Sequence, residues 1–352
     1  MTRSGARAET AAGDVFPRDH WYAAPASQRL AERPVAVQIL DWPLALFRDA
    51  DGRPRALHDR CAHRGAELHL GEVAGGALAC RYHGWRYGGD GRCLHIPSLL
   101  DGQKIAKGVA VRAFACAEAD GYIWVWMGEG PPRGAPAPIG DVARFNWTQG
   151  SLTLECAVLA TIENNLDWCH PVFTHAFTHG QFFANRAMGF QEQAVEMRRT
   201  ERGVTVFAPP AAGAAYPIPP TALVVLNFEL PDRVTVAFNA GPQGPMRIVM
   251  HLVPTGAVTC RQEWMASTGP AEAGAAPAVA WTDEPQPIFE QDRLVLESVQ
   301  RAVAREGHAF ERSVEADAPT LLARRVYALA CAGRWDADRD RLTERRVIRV
   351  RS

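Results

Sequence analysis

Three polar side chains that can serve metal chemistry are spaced three residues apart in the segment 161–175. They are Asn164, Asp167 and His170, and on a helix this spacing would place them on one face. A metal-ligating imidazole commonly donates its second N–H to a carboxylate, so Asp167 is the predicted partner of His170. The alternative is that Asp167 only caps the helix or faces solvent.

A second imidazole, His175, follows five residues after His170, at the wrong angle for the same face of an unbroken helix. Pro171 favours a break between them, because the residue before a proline is disfavoured in the α region. The two imidazoles can then converge across a helix end, and with one carboxylate they form an open site suited to iron. In isolation, two histidines at this spacing more often represent one core and one surface residue.

Two cysteine–histidine pairs lie upstream, Cys61 with His63 and Cys80 with His83. A closed zinc site usually takes its two cysteines from one knuckle and its two histidines from the other. Here each loop carries one of each, so the two thiolates can hold one iron and the two imidazoles the other. That ligand set is a Rieske [2Fe–2S] centre.

Together these patterns resemble the α subunits of Rieske non-haem iron oxygenases. The resemblance rests on Cys-x-His from residue 61, Cys-x-x-His-Gly-Trp from residue 80 and Asn-x-x-Asp-x-x-His-x4-His from residue 164, and it extends from Trp21 to at least Gln300. Segments 21–22, 40–44 and 93–97 are similar to the single-component monooxygenases and demethylases of this family. That branch includes the vanillate, dicamba and caffeine demethylases.

The resemblance implies a third iron ligand on a late helix, in a run such as Glu-Asp-Lys-x-x-x-Glu. Residues 291–297, Gln-Asp-Arg-Leu-Val-Leu-Glu, are similar to that run, so Asp292 is the implied third ligand. Weaker alternatives are Glu290, Glu297 and Asp283.

The resemblance also implies electron transfer from His83, or through His63, to Asp167 and then His170, across a subunit boundary in a head-to-tail homotrimer. Asn164 would face the iron from the same helix face. The sequence has no flavin motif and no plant-type four-cysteine ferredoxin spacing. Electrons are therefore expected from a separate reductase or ferredoxin, with NAD(P)H acting only indirectly.

The chain is predicted to be an α+β protein with two domains. Short β-branched and aromatic runs separated by glycine turns predict an all-β Rieske domain over 16–135, after a disordered N-terminal arm over 1–15. For 136–352 the family implies a catalytic domain with a helix-grip (START-like) antiparallel sheet. Helical spacing predicts a helix over 287–307 and another around 321–331. Strand-like runs occur at 203–207, 222–228, 233–238, 246–252 and 258–264.

Three further segments bear on the substrate pocket and on assembly. Two Pro/Ala/Gly-rich stretches, 208–220 and 269–287, are predicted to be surface loops or a lid. The tail, 316–352, is a candidate for packing against a neighbouring subunit. Aromatic and imidazole side chains after the ligand segment form either pocket walls or core, namely Phe177, His179, Phe182 and Phe183.

Composition narrows the class of protein. The 352 residues carry a formal net charge of −1, which argues against a nucleic-acid partner. No apolar run is long enough to cross a bilayer, and the first fifteen residues lack the apolar core of a secretory signal. The eight cysteines are scattered rather than grouped as a disulfide framework, so a reduced cytoplasmic setting is predicted.

The predicted activity is oxidation of a small hydrophobic or aromatic substrate by O₂ at a mononuclear Fe(II), with externally supplied electrons. Ring hydroxylation, demethylation and desaturation all fit, and the similarity to demethylases favours monooxygenation. Two alternatives lack a working mononuclear iron site, namely a Rieske electron-transfer protein and a small-molecule-binding module. A structural zinc protein is a third alternative.

Overall fold

The computed structural model of the protein describes residues 15–140, 142–175, 192–208, 224–239, 245–272 and 277–351. Within them the chain is α+β, with small sheets first and one large sheet covered by helices second. None of the described helices is long and apolar enough to cross a membrane.

The N-terminal region consists of short strands rich in β-branched and aromatic residues, separated by tight glycine turns. The strands are β1 (Trp21–Ala26), β2 (Val35–Ile39), β3 (Trp42–Arg48), β4 (Pro54–His58), β5 (Glu72–Ala74), β6 (Ala77–Ala79), β7 (Arg86–Tyr87), β8 (Cys93–His95), β9 (Ala113–Phe114), β10 (Cys116–Ala119) and β11 (Tyr122–Trp126). They form three antiparallel sheets, in the orders β1-β11-β10, β2-β3-β4-β9 and β5-β6-β7-β8. The predicted all-β character of this region is confirmed.

The C-terminal region is built on one sheet. Its strands are β12 (Phe145–Leu154), β13 (Glu192–Arg199), β14 (Gly203–Phe207), β15 (Val224–Glu229), β16 (Arg233–Asn239), β17 (Pro245–Gly256), β18 (Thr259–Pro270), β19 (Val279–Trp281) and β20 (Arg345–Arg351). The order is β19-β12-β18-β17-β16-β15-β14-β13-β20, and every pairing is antiparallel except that of β19 with β12.

Helices cover one face of this sheet, as a helix-grip arrangement requires. In α1 the residues Val158, Ile162 and Leu166 recur every four positions, so they share one face, and all three are buried against the sheet. The α-helices are α1 (Val158–Leu166), α2 (Pro171–Thr174), α3 (Pro287–Glu306), α4 (Ala318–Cys331) and α5 (Trp335–Asp338). Single 3-10 turns lie at Ser27–Arg29, Leu68–Leu70, Val142–Arg144, Glu315–Asp317 and Arg339–Arg341.

The N-terminal region covers the opposite face of the same sheet. Along β17, Met250 and Leu252 point into the core beneath the helices, whereas Val249 and Val253 point into a core shared with N-terminal residues such as Tyr122. This alternation follows from the two-residue period of a strand. The large sheet therefore contributes to both cores, one on each of its faces. The boundaries 16–135 and 136–352 stay a prediction.

One prediction about the C-terminal region was wrong, and another was incomplete. Segment 269–287 is not wholly a loop, because β18 continues to Pro270 and β19 pairs with β12 at Trp147 and Val279. The tail contains not only the predicted helix α4 but also β20, which pairs with β13 of its own sheet. Sequence reasoning missed β20 because its alternating arginines mask the apolar positions Ile348 and Val350. The predicted arm up to residue 14 and the loop from 209 to 220 lie outside the described residues.

Candidate iron–sulfur and mononuclear iron sites

The two cysteine–histidine loops fold in the same way. In each loop the cysteine N–H donates to the carbonyl five residues on at 2.8 Å, and the N–H of the glycine four residues on donates to the cysteine carbonyl at 2.9 Å. These glycines, Gly65 and Gly84, have φ angles of +77° and +71°, a region that side chains with a Cβ rarely adopt. Two short local sequences therefore produce a matched pair of ligand loops.

The four candidate ligand side chains differ in burial. Cys61 and Cys80 are buried, with 3% and 2% exposure, while His63 and His83 are exposed. The two imidazole rings lie 4.5 Å apart between centroids, and Trp85 stacks on His63 at 4.6 Å with the planes 2° apart. Thiolates on the inside and imidazoles at the surface fit a cluster whose cysteine-bound iron is interior and whose histidine-bound iron faces outward.

A tyrosine hydroxyl supports the cysteine side of this site. The Tyr87 hydroxyl accepts the Ala62 N–H at 3.1 Å and lies 3.1 Å from the Cys61 sulfur, so its own proton is directed to that sulfur. Burial, together with Cys61, holds the pKa of Tyr87 well above its usual value, which keeps the hydroxyl a donor. Burial also raises the pKa of the Cys80 thiol.

The predicted helix through Asn164, Asp167 and His170 is wrong. Helix α1 ends at Leu166, and Asp167 follows it in an extended conformation with φ −73° and ψ 120°. His170 instead caps α2 with helical angles, because Pro171 occupies the first helical position, where a proline is favourable. Residues 167–170 connect the two helices, and both imidazoles lie next to Asp292 of α3.

Three side chains converge at this point. The Asp292 Oδ1 lies 3.3 Å from His175 Nε2 and 3.7 Å from His170 Nε2, and the three ligand atoms lie within 4.8 Å of one another. Asp292 Oδ1 is buried and has no hydrogen-bond donor among the residues that the structure describes. A buried carboxylate oxygen without a donor is costly, and a divalent metal shared with two neutral imidazoles removes that cost. The donor set fits the iron that the sequence implies.

The alternative carboxylates lie elsewhere. Arg293 pairs with Glu290 at 2.5 Å and with Glu297 at 3.6 Å, and Asp283 accepts the indole N–H of Trp281 at 2.9 Å. In the described part of the chain, no carboxylate other than Asp292 lies within a ligand sphere of the two histidines.

The orienting partners of the histidines differ from the prediction. His170 Nδ1 lies 3.1 Å from the backbone carbonyl of Asp167 and 3.9 Å from its carboxylate, whose other oxygen accepts the Cys169 N–H at 2.7 Å. His175 Nδ1 lies 3.0 Å from the side-chain oxygen of Gln291. Sequence reasoning missed Gln291, and its position next to Asp292 was the available signal.

Burial and nearby charges shift the pKa values of the groups at this site. Burial lowers the pKa of His170, opposed by Asp292. For His175 burial acts in the same direction, but the contact with Asp292 outweighs it and the pKa is raised. Burial raises the pKa of Cys169 to about 11, which agrees with an apolar filler rather than a reactive thiol.

Two other predictions concern side chains near the iron. Asn164 Nδ2 is buried without a hydrogen-bond acceptor among the described residues, and its role stays a prediction. The candidate pocket walls, Phe177, His179, Phe182 and Phe183, lie outside the described residues.

Two family profiles match the chain, one for each region. Residues 20–107 match the Rieske [2Fe-2S] domain, and residues 154–332 match the vanillate O-demethylase oxygenase C-terminal domain. The chain belongs to the Rieske oxygenases. Both ligand loops lie within the first match, and His170, His175 and Asp292 lie within the second.

Several curated Rieske oxygenases are similar in sequence. The vanillate O-demethylase oxygenase subunit of Pseudomonas sp. (strain HR199 / DSM 7063) is 29% identical over 243 residues, 65% of this chain and 67% of the relative. The dicamba O-demethylase oxygenase component of Stenotrophomonas maltophilia is 36% identical over 166 residues, 46% of this chain and 48% of the relative. For chlorophyllide a oxygenase of Chlamydomonas reinhardtii, 36% identical, the match covers 49% of this chain and 28% of the relative. Most of these matches thus span half or less of the relative's length.

Solved structures agree over nearly the whole chain. Dicamba monooxygenase bound to dicamba has a TM-score of 0.70 at 23% identity, covering 91% of this chain and 98% of that one. NdmA of Pseudomonas putida CBB5 with caffeine has a TM-score of 0.71 at 22% identity, covering 94% and 96%. The likeness confirms the predicted fold, an all-β Rieske domain followed by an antiparallel-sheet oxygenase domain.

Proposed function

We propose that this chain is the terminal oxygenase of a multicomponent system that oxidises a small hydrophobic or aromatic substrate with O₂. The observation that carries the proposal is the convergence of His170, His175 and Asp292 in the same chain as two Rieske ligand loops. An electron-transfer protein or a simple binding module would have no use for that second ligand set. A closed zinc site in the two cysteine–histidine loops is disfavoured because each loop carries one cysteine and one histidine, whereas such a site usually takes both cysteines from one knuckle.

In this proposal Cys61, Cys80, His63 and His83 hold the [2Fe–2S] cluster, while His170, His175 and Asp292 hold Fe(II). When bound, the cluster supplies single electrons and the Fe(II) supplies O₂ activation. The protein's own part is to hold both imidazoles with Nε2 directed at one point and to keep the Asp292 oxygen ready as an anionic ligand. Burial of the three side chains limits the access of water to this point.

We also propose the head-to-tail homotrimer that the resemblance implies. The Asp167 side chain is 34% exposed, although His170 beside it is only 17% exposed. The cluster histidines are exposed as well, so a histidine of a neighbouring subunit can approach Asp167 from outside. Electrons would enter each cluster from a separate reductase or ferredoxin, and the cytoplasmic setting stays a prediction.

Demethylation is the favoured reaction within this class, because vanillate and dicamba O-demethylases are among the relatives. For an aryl methyl ether, O₂, two electrons and two protons would yield the phenol, formaldehyde and water. A screen of methoxylated aromatic acids with a generic reductase, followed by formaldehyde and phenol analysis, tests this choice. Ring hydroxylation without formaldehyde would contradict this choice.

Metal analysis of anaerobically purified protein tests the two-site proposal directly. Wild type should contain about three irons per chain, and the double variant His170→Ala with His175→Ala about two, as the two ligand sets require. The Rieske electron paramagnetic resonance (EPR) signal of the reduced protein should be the same in both, which also shows that the variant is folded. Two irons in wild type and no change on mutation would leave an electron-transfer or binding protein.

A further inference from the structure

Both iron-binding imidazoles donate to neutral oxygens in this protein. His170 Nδ1 lies 3.1 Å from the backbone carbonyl of Asp167, and His175 Nδ1 lies 3.0 Å from the Gln291 amide oxygen. A carboxylate at either place would add negative charge to the ligand through its hydrogen bond, whereas an amide or carbonyl only orients it.

Gln291 lies between two acidic residues in the sequence, Glu290 and Asp292. The charge of Glu290 is matched by Arg293, which also reaches Glu297 one turn further along α3. Glu290 and Glu297 are thus paired with Arg293, Asp292 is directed at the two histidines, and the side chain next to His175 Nδ1 is uncharged. Gln291 is the adjacent residue to Asp292, so one helical turn carries both a ligand and the support for another ligand.

We propose that Gln291 is a positioning residue that fixes the His175 ring and keeps the outer contact of this ligand neutral. The proposal rests on the proposed function, since it concerns the same iron site. With an amide acceptor the Nδ1 carries the proton, and Nε2, 3.3 Å from Asp292 Oδ1, is left to bind metal. Neutral support leaves the imidazole a weaker donor than a carboxylate-bound one, which favours ferrous over ferric iron.

Two substitutions separate orientation from charge. Gln291→Leu removes the acceptor, and Gln291→Glu keeps an acceptor of the same shape but makes it anionic. Because Gln300 on the same helix also accepts a hydrogen bond, from the Ala157 N–H at 2.9 Å, Gln300→Glu is the matched control. It makes the same chemical change away from the iron.

The measurements are Fe(II) affinity by chelator competition and the ferric/ferrous midpoint potential of the mononuclear site, with the Rieske signal as the folding check. Gln291→Leu should bind Fe(II) about 10–100-fold more weakly than wild type. Gln291→Glu should restore the affinity and lower the midpoint potential, and Gln300→Glu should change neither. The EPR spectrum of the nitric oxide adduct should change only in the two Gln291 variants.

Wild-type affinity in Gln291→Leu, or an unchanged potential in Gln291→Glu, would overturn the proposal while leaving the oxygenase assignment intact. If Gln291→Leu fails to fold, the Gln291→Glu potential decides the question alone. Absence of a third iron in wild type itself would instead contradict the proposed function.

Discussion

The two metal sites are built in opposite ways. The proposed cluster ligands come from two loops that repeat the same local hydrogen bonds around Cys61 and Cys80. The proposed mononuclear iron ligands come from the segment after α1 and from α3, which meet only because both pack against the large sheet. A site made of local loops depends on turn chemistry, whereas a site made of distant elements depends on the packing of the whole region.

The sites also differ in their relation to solvent. At the cluster, the histidine side is exposed and the cysteine side is buried, which gives a surface for electron entry and exit. At the mononuclear site the three ligand side chains are all largely buried, at 17%, 5% and 14% exposure for His170, His175 and Asp292. Electron exchange needs proximity to a partner, while oxygen chemistry needs protection from water.

Separate removal of one ligand at each site gives the largest expected effect. Cys80→Ala should abolish the visible absorption of the cluster but keep the mononuclear iron, and His175→Ala should do the reverse. Turnover should fall below detection in both variants, because each site is needed for every cycle. Iron analysis and absorption spectra check this, and loss of both metals in either variant would show that the two sites are not independent.

Alanine substitutions at the two loop glycines test whether each cluster loop depends only on its own backbone conformation or also on contacts with other segments. Gly65→Ala and Gly84→Ala should each cost about 1–2 kcal/mol because both glycines are left-handed. A Cβ at Gly84 would lie 2.8 Å from the Pro97 ring, whereas at Gly65 the nearest atom is an Arg60 methylene at 3.8 Å. Gly84→Ala should therefore lose a further ~1–3 kcal/mol from overpacking.

Thermal unfolding followed by cluster absorption measures this difference. Equal destabilisation by the two glycine substitutions would mean that Pro97 moves aside freely. In that case Gly65 and Gly84 would have the same room for a Cβ as well as similar backbone geometry.

The hydroxyl next to Cys61 gives a smaller, purely electronic effect. Tyr87→Phe removes a hydrogen bond to the sulfur, and such bonds raise the reduction potential of a cluster. The Rieske potential should fall, by roughly 60 mV for each 1.4 kcal/mol of differential stabilisation. Protein-film voltammetry reads the shift, and the affinity for mononuclear iron should be unchanged. A potential at or above that of wild type would contradict the assignment of Tyr87 as donor.

The smallest effect is expected at the support of the ligand segment. Arg324 on α4 donates to both oxygens of Glu163 on α1, at 2.6 Å and 2.8 Å, and to Glu311 at 2.9 Å. The side chain is 36% exposed, so Arg324→Met should cost at most about 1 kcal/mol of unfolding free energy. Chemical denaturation measures this cost, with Arg346→Met, whose ion pair to Glu315 is more exposed, as the control.

A cost for Arg324→Met no larger than for the control would mean that the ion pair adds nothing to the attachment of α1. The cluster spectrum should not change in either variant, because neither arginine contacts the N-terminal loops.

Much of the fold was predictable because strands and helices have their own periodicities. The strand over Gly203–Phe207 and the helix over Pro287–Glu306 agree with prediction almost residue for residue. Four strands of the large sheet were not predicted, namely β12, β13, β19 and β20, and the last two pair with strands far along the chain. Neither β19 nor β20 has a strong local pattern, and each forms because an edge of the large sheet is available to it.

At the sites, the sequence alone predicted the Rieske cluster and its four ligands, because these residues and the neighbouring glycines lie in two short loops with a characteristic spacing. It also supplied the candidates His170, His175 and Asp292, the last of them through a family resemblance. Only the tertiary structure decided that helix α1 stops before Asp167, that a backbone carbonyl rather than its carboxylate faces His170, and that Gln291 supports His175. The physical reason is that contacts between distant segments depend on how helices pack on the sheet, and no local spacing encodes that packing.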